Sequence, residues 1–318
     1  MRTRSVFIIL FVLFGLAVWL GISYGSVSIP FRELLSENNR QILYLRLSRV
    51  IMALIAGCGL SVSGIILQAL LKNPLADPYL LGTSSGAGLG AVMALLLGLS
   101  GFFLPFFAWL GAILSVILVL YLSRENTTFS SQSLILSGVI VSIALSSVLV
   151  LILSLSPNET LHGILWWLWG NLQILDLRLL VFVSFFVLCG TLLTFFFSQD
   201  LNAISLGEEE AIHLGISIES VKIILIATAS LMTASLVCIC GVIGFVGLMV
   251  PHMMRRVTGA NHNLLLPATC LASGVFMIVC DTLSRTIYPP IEIPIGVITS
   301  MLGTPVFFWL FKKKRDGI

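Results

Sequence analysis

Long runs without a charged residue divide this sequence, and they restrict its fold more than any other feature. The runs are Ser5–Phe31, Val50–Leu71, Pro78–Ser123, Asn126–Asn158, Leu179–Gln199, Ile223–Met254, Val257–Cys280 and Ile293–Phe311. A helix needs about 20 apolar residues to cross a bilayer. Pro78–Ser123 is long enough for two spans with a turn at Ser100–Gly101, and Ile223–Met254 for two short spans that meet near Cys240–Gly241. The runs predict an all-α, polytopic membrane protein with about ten transmembrane helices.

The composition agrees with this fold class. Only 10% of the residues are charged, against about a quarter in soluble domains, and the mean hydropathy is +1.09. We expect one transmembrane domain over residues 1–318. Its first span is predicted to be a retained helix, because its apolar stretch exceeds the roughly 7–15 residues of a signal peptide. We expect lipid as its solvent and no nucleic acid as a partner.

The positive charges predict an orientation, because Lys and Arg prefer cytoplasmic loops. Ten spans place both termini on one side, and the tail Lys312–Arg315 assigns that side to the cytoplasm. On this topology 11 of the 17 Lys and Arg residues are cytoplasmic. The prediction is a multi-pass protein of the cytoplasmic membrane with both termini inside.

Four of the six remaining cations fall in the predicted external loop Gly25–Arg49. They are Arg32, Arg40, Arg46 and Arg49. The charge bias of membrane insertion disfavours them there, so an acidic partner outside the membrane is one explanation for their presence. Binding of lipid phosphates at the interface is the alternative.

The cytoplasmic segment from about residue 198 to 222 is the longest predicted internal loop. Within it, Glu208–Gly215 is typical of a short helix that ends at a glycine. A connector of this length favours a docking role. A solvated loop whose acidic residues keep it in water is the alternative.

Two other functions fit parts of the sequence. Gly82-Thr-Ser84-Ser-Gly86 matches the serine hydrolase pattern G-x-S-x-G, with His252 as a conceivable base, although no strand is predicted before Ser84. An ion-coupled transporter would place carboxylates or histidines near the midplane. Few such residues, among them His252 and Asp281, lie within or at the end of a predicted span, which favours an external source of energy.

The chain is not expected to be an enzyme or to hold a cofactor. None of its five lysines lies in a P-loop pattern G-x-x-x-x-G-K-[ST], so ATP and magnesium would be bound by a separate subunit. The cysteines lie inside apolar runs and lack zinc-site spacing, so no metal site is expected.

The sequence resembles the FecCD/BtuC-like family, the permeases of binding-protein-dependent ABC importers for iron siderophores, haem and cobalamin. The matching residues, in family order, are Arg46-Leu-Ser-Arg49, Ser63-Gly64, Gln68, Asn73-Pro-Leu-Ala-Asp-Pro78, Leu81-Gly82, Gly241–Leu248, Pro251-His252, Arg255, Asp281, Arg285, Glu292-x-Pro294-x-Gly296 and Gly303-x-Pro305-x-Phe307. They extend from Arg46 to Phe307, which makes the resemblance more specific than any single glycine pattern.

The resemblance implies a homodimer of permeases, two cytoplasmic ATP-binding subunits and an extracytoplasmic substrate-binding protein. It assigns docking of the binding protein to Arg46, Arg49 and Arg285. It assigns coupling to the ATPase to Leu206, Gly207, Ala211, Leu214 and Gly215, and a cytoplasmic gate to Asn73 and Leu75, with Ser131 and Gln132 as its second element. The cargo, whether ferric siderophore, haem or cobalamin, stays open.

Overall fold

The computed structural model describes residues 2–27, 29, 30, 33, 36–99, 101–125, 128–156, 158–174 and 176–315. In chain order the helices are α1 (Arg2–Ser23), α2 (Arg40–Leu70), α3 (Thr83–Leu96), α4 (Phe103–Ser123), α5 (Ser131–Leu155), α6 (Asn158–Leu168), α7 (Leu177–Phe196), α8 (Ser198–Leu206), α9 (Glu208–His213), α10 (Ile218–Cys240), α11 (Val246–Thr258), α12 (His262–Thr286) and α13 (Ile295–Arg315). Short 3-10 helices lie at Glu37–Asn39 and Pro78–Leu81.

The predicted all-α, polytopic fold is confirmed. Among the described residues, seven helices are long and apolar enough to cross a membrane: α1, α2, α4, α5, α7, α10 and α12. Thr83–Leu96 and Ile295–Phe308 are shorter apolar helices, and α11 with its 13 residues brings the set to about ten. A small hairpin connects α4 to α5, in which β1 (Arg124–Glu125) pairs antiparallel with β2 (Thr128–Phe129).

Helix α2 lies at the centre of the bundle. Neighbouring elements bury 78% of its apolar stretch, and it packs against α12, α10 and α11. A Cβ on Gly57 would meet the backbone of Ser273, and one on Gly64 would meet the backbone of Gly247. Small residues therefore let these helices approach closely, as expected for packing inside a membrane.

Helices α1 and α5 lie at the perimeter, since only 17% of the apolar stretch of each is buried. Their exposed faces carry apolar side chains, among them Ile8, Phe11, Ile140 and Ile143. Such faces need lipid or another protein surface as their environment.

The predicted break between the two spans within Ile223–Met254 is confirmed. Helix α10 ends at Cys240, Gly241 adopts a left-handed φ of 69°, and α11 begins at Val246. The Tyr79 hydroxyl accepts a hydrogen bond from the Ile243 N–H and donates one to the Ile243 carbonyl, both at 3.1 Å. These bonds satisfy backbone groups that the broken helix leaves free. The turn expected at Ser100–Gly101 lies between α3 and α4, where Gly101 has a φ of 65°; Ser100 is outside the described residues.

The expectation of an external loop that reaches Arg49 is wrong. Helix α2 already begins at Arg40, so Arg40, Arg46 and Arg49 are helical. Arg32 lies outside the described residues. A helix of a membrane protein can contain cations when each has partners inside the protein, and Arg46 and Arg49 have such partners.

Candidate functional site

A buried ion-pair network joins α2 to α12. Arg49 Nη2 lies 2.8 Å from Asp281 Oδ1, and Arg49 Nη1 lies 2.7 Å from Glu292 Oε2. On the same helix as Asp281, Arg285 Nη2 lies 2.8 Å from Asp281 Oδ2. Asp281 thus bridges the two arginines. Its side chain is only 1% exposed, and charges so far from water persist only when they are paired.

Arg46 is held by backbone carbonyls instead of carboxylates. Its Nη1 donates to the carbonyls of Ile22 and Ser23 at 2.9 and 2.8 Å, and its Nη2 donates to the carbonyl of Val27 at 2.6 Å. The first two carbonyls belong to the last turn of α1, where unpaired oxygens and the helix dipole favour a cation. Arg46 therefore caps the end of α1.

The three arginines line one cleft, the arginine cleft, with a volume of about 200 Å³ and Glu292 in its wall. The structure therefore brings the predicted docking residues together. It also buries them, because Arg46, Arg49 and Arg285 are only 4%, 6% and 3% exposed. The protein's own carboxylates and carbonyls already bind all three guanidinium groups. Their docking role stays a prediction.

Sequence reasoning assigned no role to the two carboxylates of this network. A signal for Asp281 exists, because Asp281 and Arg285 have the i,i+4 spacing of helical ion pairs. Glu292 has no such local signal. It reaches Arg49 only because the chain turns back after α12, where Ser284 hydrogen-bonds the backbone carbonyl of Ile293.

The predicted short helix Glu208–Gly215 is present as α9, which follows α8 directly; Gly215 has a left-handed φ of 81°. Ala211 is buried. By contrast Leu206 is 79% and Leu214 69% exposed, and Ile212, which the sequence did not single out, is 61% exposed. Several exposed apolar side chains in one short segment indicate an interaction surface, here called the α8–α9 surface.

The first predicted gate segment is a turn after α2, and the second contacts the end of α2 just before that turn. Asn73 Oδ1 accepts the Leu75 N–H at 3.0 Å, which closes an Asx turn. Ser131, the first residue of α5, donates from its hydroxyl to the carbonyl of Leu70 at 3.2 Å. Leu75 and Gln132 are exposed. The start of α5 is therefore hydrogen-bonded to the last residue of α2, three residues before Asn73.

Asp77 in the same turn is the N-cap of the 3-10 helix that begins at Pro78, and its Oδ1 accepts the Tyr79 N–H at 2.8 Å. Burial raises the pKa of Asp77 from 3.8 to about 6, although the hydrogen bond from Tyr79 opposes the shift. Burial also raises the pKa of the Tyr79 hydroxyl. Burial thus destabilises the charged form of this carboxylate, and the hydrogen bond from Tyr79 offsets only part of the effect.

The geometry around Ser84 does not favour the hydrolase alternative. A 3-10 helix, Pro78–Leu81, precedes Ser84, whereas a nucleophile elbow follows a strand. Among the described residues, no group of three or more His, Cys, Asp or Glu side chains is placed to hold a metal ion.

Comparison with known proteins gives the family. Residues 9–313 match the model of the FecCD transport family. The Fe(3+) dicitrate transport system permease protein FecD of Escherichia coli (strain K12) is 35% identical over 99% of this chain and 100% of its own length. The hemin transport system permease protein HmuU of Yersinia pestis is 33% identical over 92% of this chain and 90% of its own. A solved structure, an inward-facing conformation of a metal-chelate type ABC transporter, is 31% identical with a TM-score of 0.89 and covers 98% of this chain and 99% of that one. The chain therefore belongs to the FecCD transport family.

Proposed function

We propose that this membrane permease imports a ferric chelate, either a ferric siderophore-type complex or haem, with cobalamin as the alternative cargo. The names of the two relatives support the iron cargoes, since one carries Fe(3+) dicitrate and the other hemin. The permease works as a homodimer with two ATP-binding subunits and an external binding protein that selects the cargo. Both termini lie in the cytoplasm, and ATP with magnesium is bound by the partner subunits.

The α8–α9 surface is the observation that carries the ATP-driven part of this proposal. Leu206, Ile212 and Leu214 expose apolar side chains in a segment between two spans. Exposure of such side chains to water is unfavourable, whereas their burial in an apolar groove on a partner protein is favourable. The surface contains Leu206 and Leu214 of the predicted coupling residues, and Ala211 lies buried beneath it.

The arginine cleft is the proposed docking region for the binding protein. Glu292 in its wall has a side chain that is 31% exposed, so an incoming carboxylate would compete with Glu292 for Arg49. A planar guanidinium suits such exchange because it offers donors to more than one carboxylate. The gate is assigned to Asn73 and Leu75, with Ser131 and Gln132 as its second element.

Uptake by proteoliposomes tests the proposal. The chain is reconstituted with its ATP-binding subunit, and the binding protein is added outside together with ferric dicitrate, haem or cobalamin. We expect uptake of an iron chelate that requires ATP on the side of the α8–α9 surface and is abolished without the ATP-binding subunit. Uptake that a proton or sodium gradient drives without nucleotide would support the ion-coupled alternative instead.

A further inference from the structure

Glu208, the first residue of α9, contacts two lysines from different parts of the chain. Its Oε2 lies 3.2 Å from Lys222 Nζ, and its Oε1 lies 3.7 Å from Lys72 Nζ. Glu219 completes the group, with its Oε1 3.7 Å from Lys222 Nζ. These four residues, Lys72, Glu208, Glu219 and Lys222, are called the Glu208 cluster.

The cluster holds the hairpin before α5. Lys222 Nζ donates to the carbonyl of Phe129 at 3.3 Å, and Glu219 Oε2 accepts the Phe129 N–H at 3.3 Å. Phe129 lies two residues before Ser131, the start of the second gate segment. A movement of Lys222 or Glu219 would therefore move the beginning of α5.

The Glu208–Lys72 contact, here called the Lys72 arm of the cluster, lies next to the first gate segment, and the Glu208–Lys222 contact is called the Lys222 arm. Lys72 directly precedes Asn73, and its backbone has a left-handed φ of 49°, which a residue with a side chain adopts only when its surroundings hold it there. The hydroxyl of Ser131 hydrogen-bonds the carbonyl of Leu70 just before this turn. One carboxylate on α9 therefore contacts Lys72, next to the first gate segment, and reaches the hairpin before the second gate segment through Lys222.

The two arms differ in strength. The Lys222 side chain is only 5% exposed, so loss of Glu208 would leave this buried cation with Glu219 at 3.7 Å as its carboxylate partner, and a weakly paired buried charge is costly. The Lys72 side chain is 47% exposed and its nitrogen is farther from Glu208, so water and salt weaken this contact. The Lys222 arm is the firm connection, and the Lys72 arm is the one that can open.

We propose that Glu208 is the positioning residue that transmits movement of α9 to the gate. The inference rests on the proposed function, in which α8–α9 seats in an ATP-binding subunit. When nucleotide moves that subunit, the firm Glu208–Lys222 pair carries the hairpin and the start of α5 along. The Glu208–Lys72 contact separates or re-forms, which frees or restrains the Asn73 turn. ATP hydrolysis and opening of the gate are coupled through this one carboxylate.

The test compares Glu208→Gln with Glu209→Gln in the complete reconstituted complex. Glu209 is exposed beside Glu208 and forms no ion pair with any described residue, so it is a matched control. The measured quantity is the number of ATP molecules hydrolysed per substrate molecule imported. We expect this ratio to rise at least about fivefold in Glu208→Gln, the lower end of usual coupling effects, and to keep its parental value in Glu209→Gln. A purely structural role would reduce the amount of assembled complex and leave the ratio unchanged, and that result overturns the proposal.

Lys222→Met removes the firm partner and completes a double-mutant cycle. If Glu208 acts through Lys222, the double variant Glu208→Gln, Lys222→Met has the same ratio as either single variant, whereas additive effects contradict the mechanism. If Glu208→Gln does not assemble, Lys72→Gln provides the test at the exposed Glu208–Lys72 contact. We expect Lys72→Gln to raise the number of ATP molecules hydrolysed per imported substrate, and a parental ratio overturns the inference. A parent complex that imports no cargo with ATP overturns the proposed function itself. If the parent imports cargo with ATP and Glu208→Gln has the parental ratio of ATP hydrolysed to substrate imported, only the inference about Glu208 is overturned.

Discussion

At the residue scale, the buried arginines Arg49 and Arg46 are held by different kinds of oxygen. Arg49 lies between two carboxylates, and Arg46 lies among carbonyls. The distinction determines what a substitution leaves behind. Removal of Arg49 exposes a pair of negative charges to a poorly hydrated environment, whereas removal of Arg46 leaves only uncapped dipoles.

Arg49→Gln is therefore expected to destabilise the fold. Asp281 would keep Arg285 but lose its second cation, and Glu292 would lose the cation that it contacts. Breaking a buried pair in this way costs about 3–5 kcal/mol. Thermal unfolding of the purified protein in detergent measures the effect, with Arg178→Gln at an exposed arginine as the control. Equal unfolding midpoints for the two variants would contradict the assigned role of the network.

Asp77→Asn is expected to change the pH dependence of stability. The folded pKa of Asp77 is about 6 and its ordinary value is 3.8, so between these values the folded state binds a proton that the unfolded state has released. Stability therefore falls as the pH rises from about 4 to about 6, by up to about 3 kcal/mol, and is constant above. An asparagine Oδ1 can still accept the Tyr79 N–H. Unfolding midpoints measured across this range should decline for the parent and decline less for Asp77→Asn; parallel curves would rule out Asp77 as the titrating group.

At the element scale, the sequence predicted what depends on local pattern. The uncharged runs predicted the spans, Gly241 predicted the break after α10, and Gly215 predicted the end of α9. These features were predictable because span length and backbone conformation are local properties. The start of α2 at Arg40 was not predictable, since the arginines inside it are satisfied by α1, α12 and the Glu292 segment, which are distant in sequence. The hydrogen bonds between Tyr79 and Ile243 and the ion pairs of the Glu208 cluster were not predictable for the same reason, because their partners are distant in sequence.

The two glycines that flank α9 are expected to respond differently to substitution. Gly215 has a φ of 81°, so Gly215→Val strains the backbone although a Cβ would meet nothing within 4 Å. Gly207 has an extended φ of 166°, and a Cβ there would meet only the Glu210 side chain, which can move. In the reconstituted complex, Gly215→Val should hydrolyse several times more ATP per imported substrate, about fivefold or more, while Gly207→Ala stays near the parental ratio. Parental coupling in Gly215→Val would mean that α9 is not the coupling element.

At the scale of the whole molecule, the proposed contacts lie at opposite ends of the helices. The arginine cleft is built on the first turns of α2 and the last turns of α12, and the gate turn follows the other end of α2. Helix α2 is thus continuous from the proposed docking region to the gate, and it is the most buried of the long apolar helices. A rigid central helix of this kind can transmit a change at one end to the other, provided that both ends bias its position.

Substitution of Arg46 can test docking at the arginine cleft separately from folding. Arg46→Gln removes a positive charge but orphans no carboxylate, and the glutamine amide can still donate to a carbonyl at the end of α1. Attraction between this cleft and an acidic binding protein should therefore weaken while the fold persists. We expect binding-protein affinity for the reconstituted parent to fall as salt is added, because the Debye length shrinks from about 30 Å at 0.01 M to about 10 Å at 0.1 M. At low salt Arg46→Gln should bind more weakly than the parent and lose less affinity with salt, whereas Arg178→Gln should follow the parent. If Arg46→Gln binds with parental affinity at every salt concentration, Arg46 only caps α1 and the docking contacts lie elsewhere.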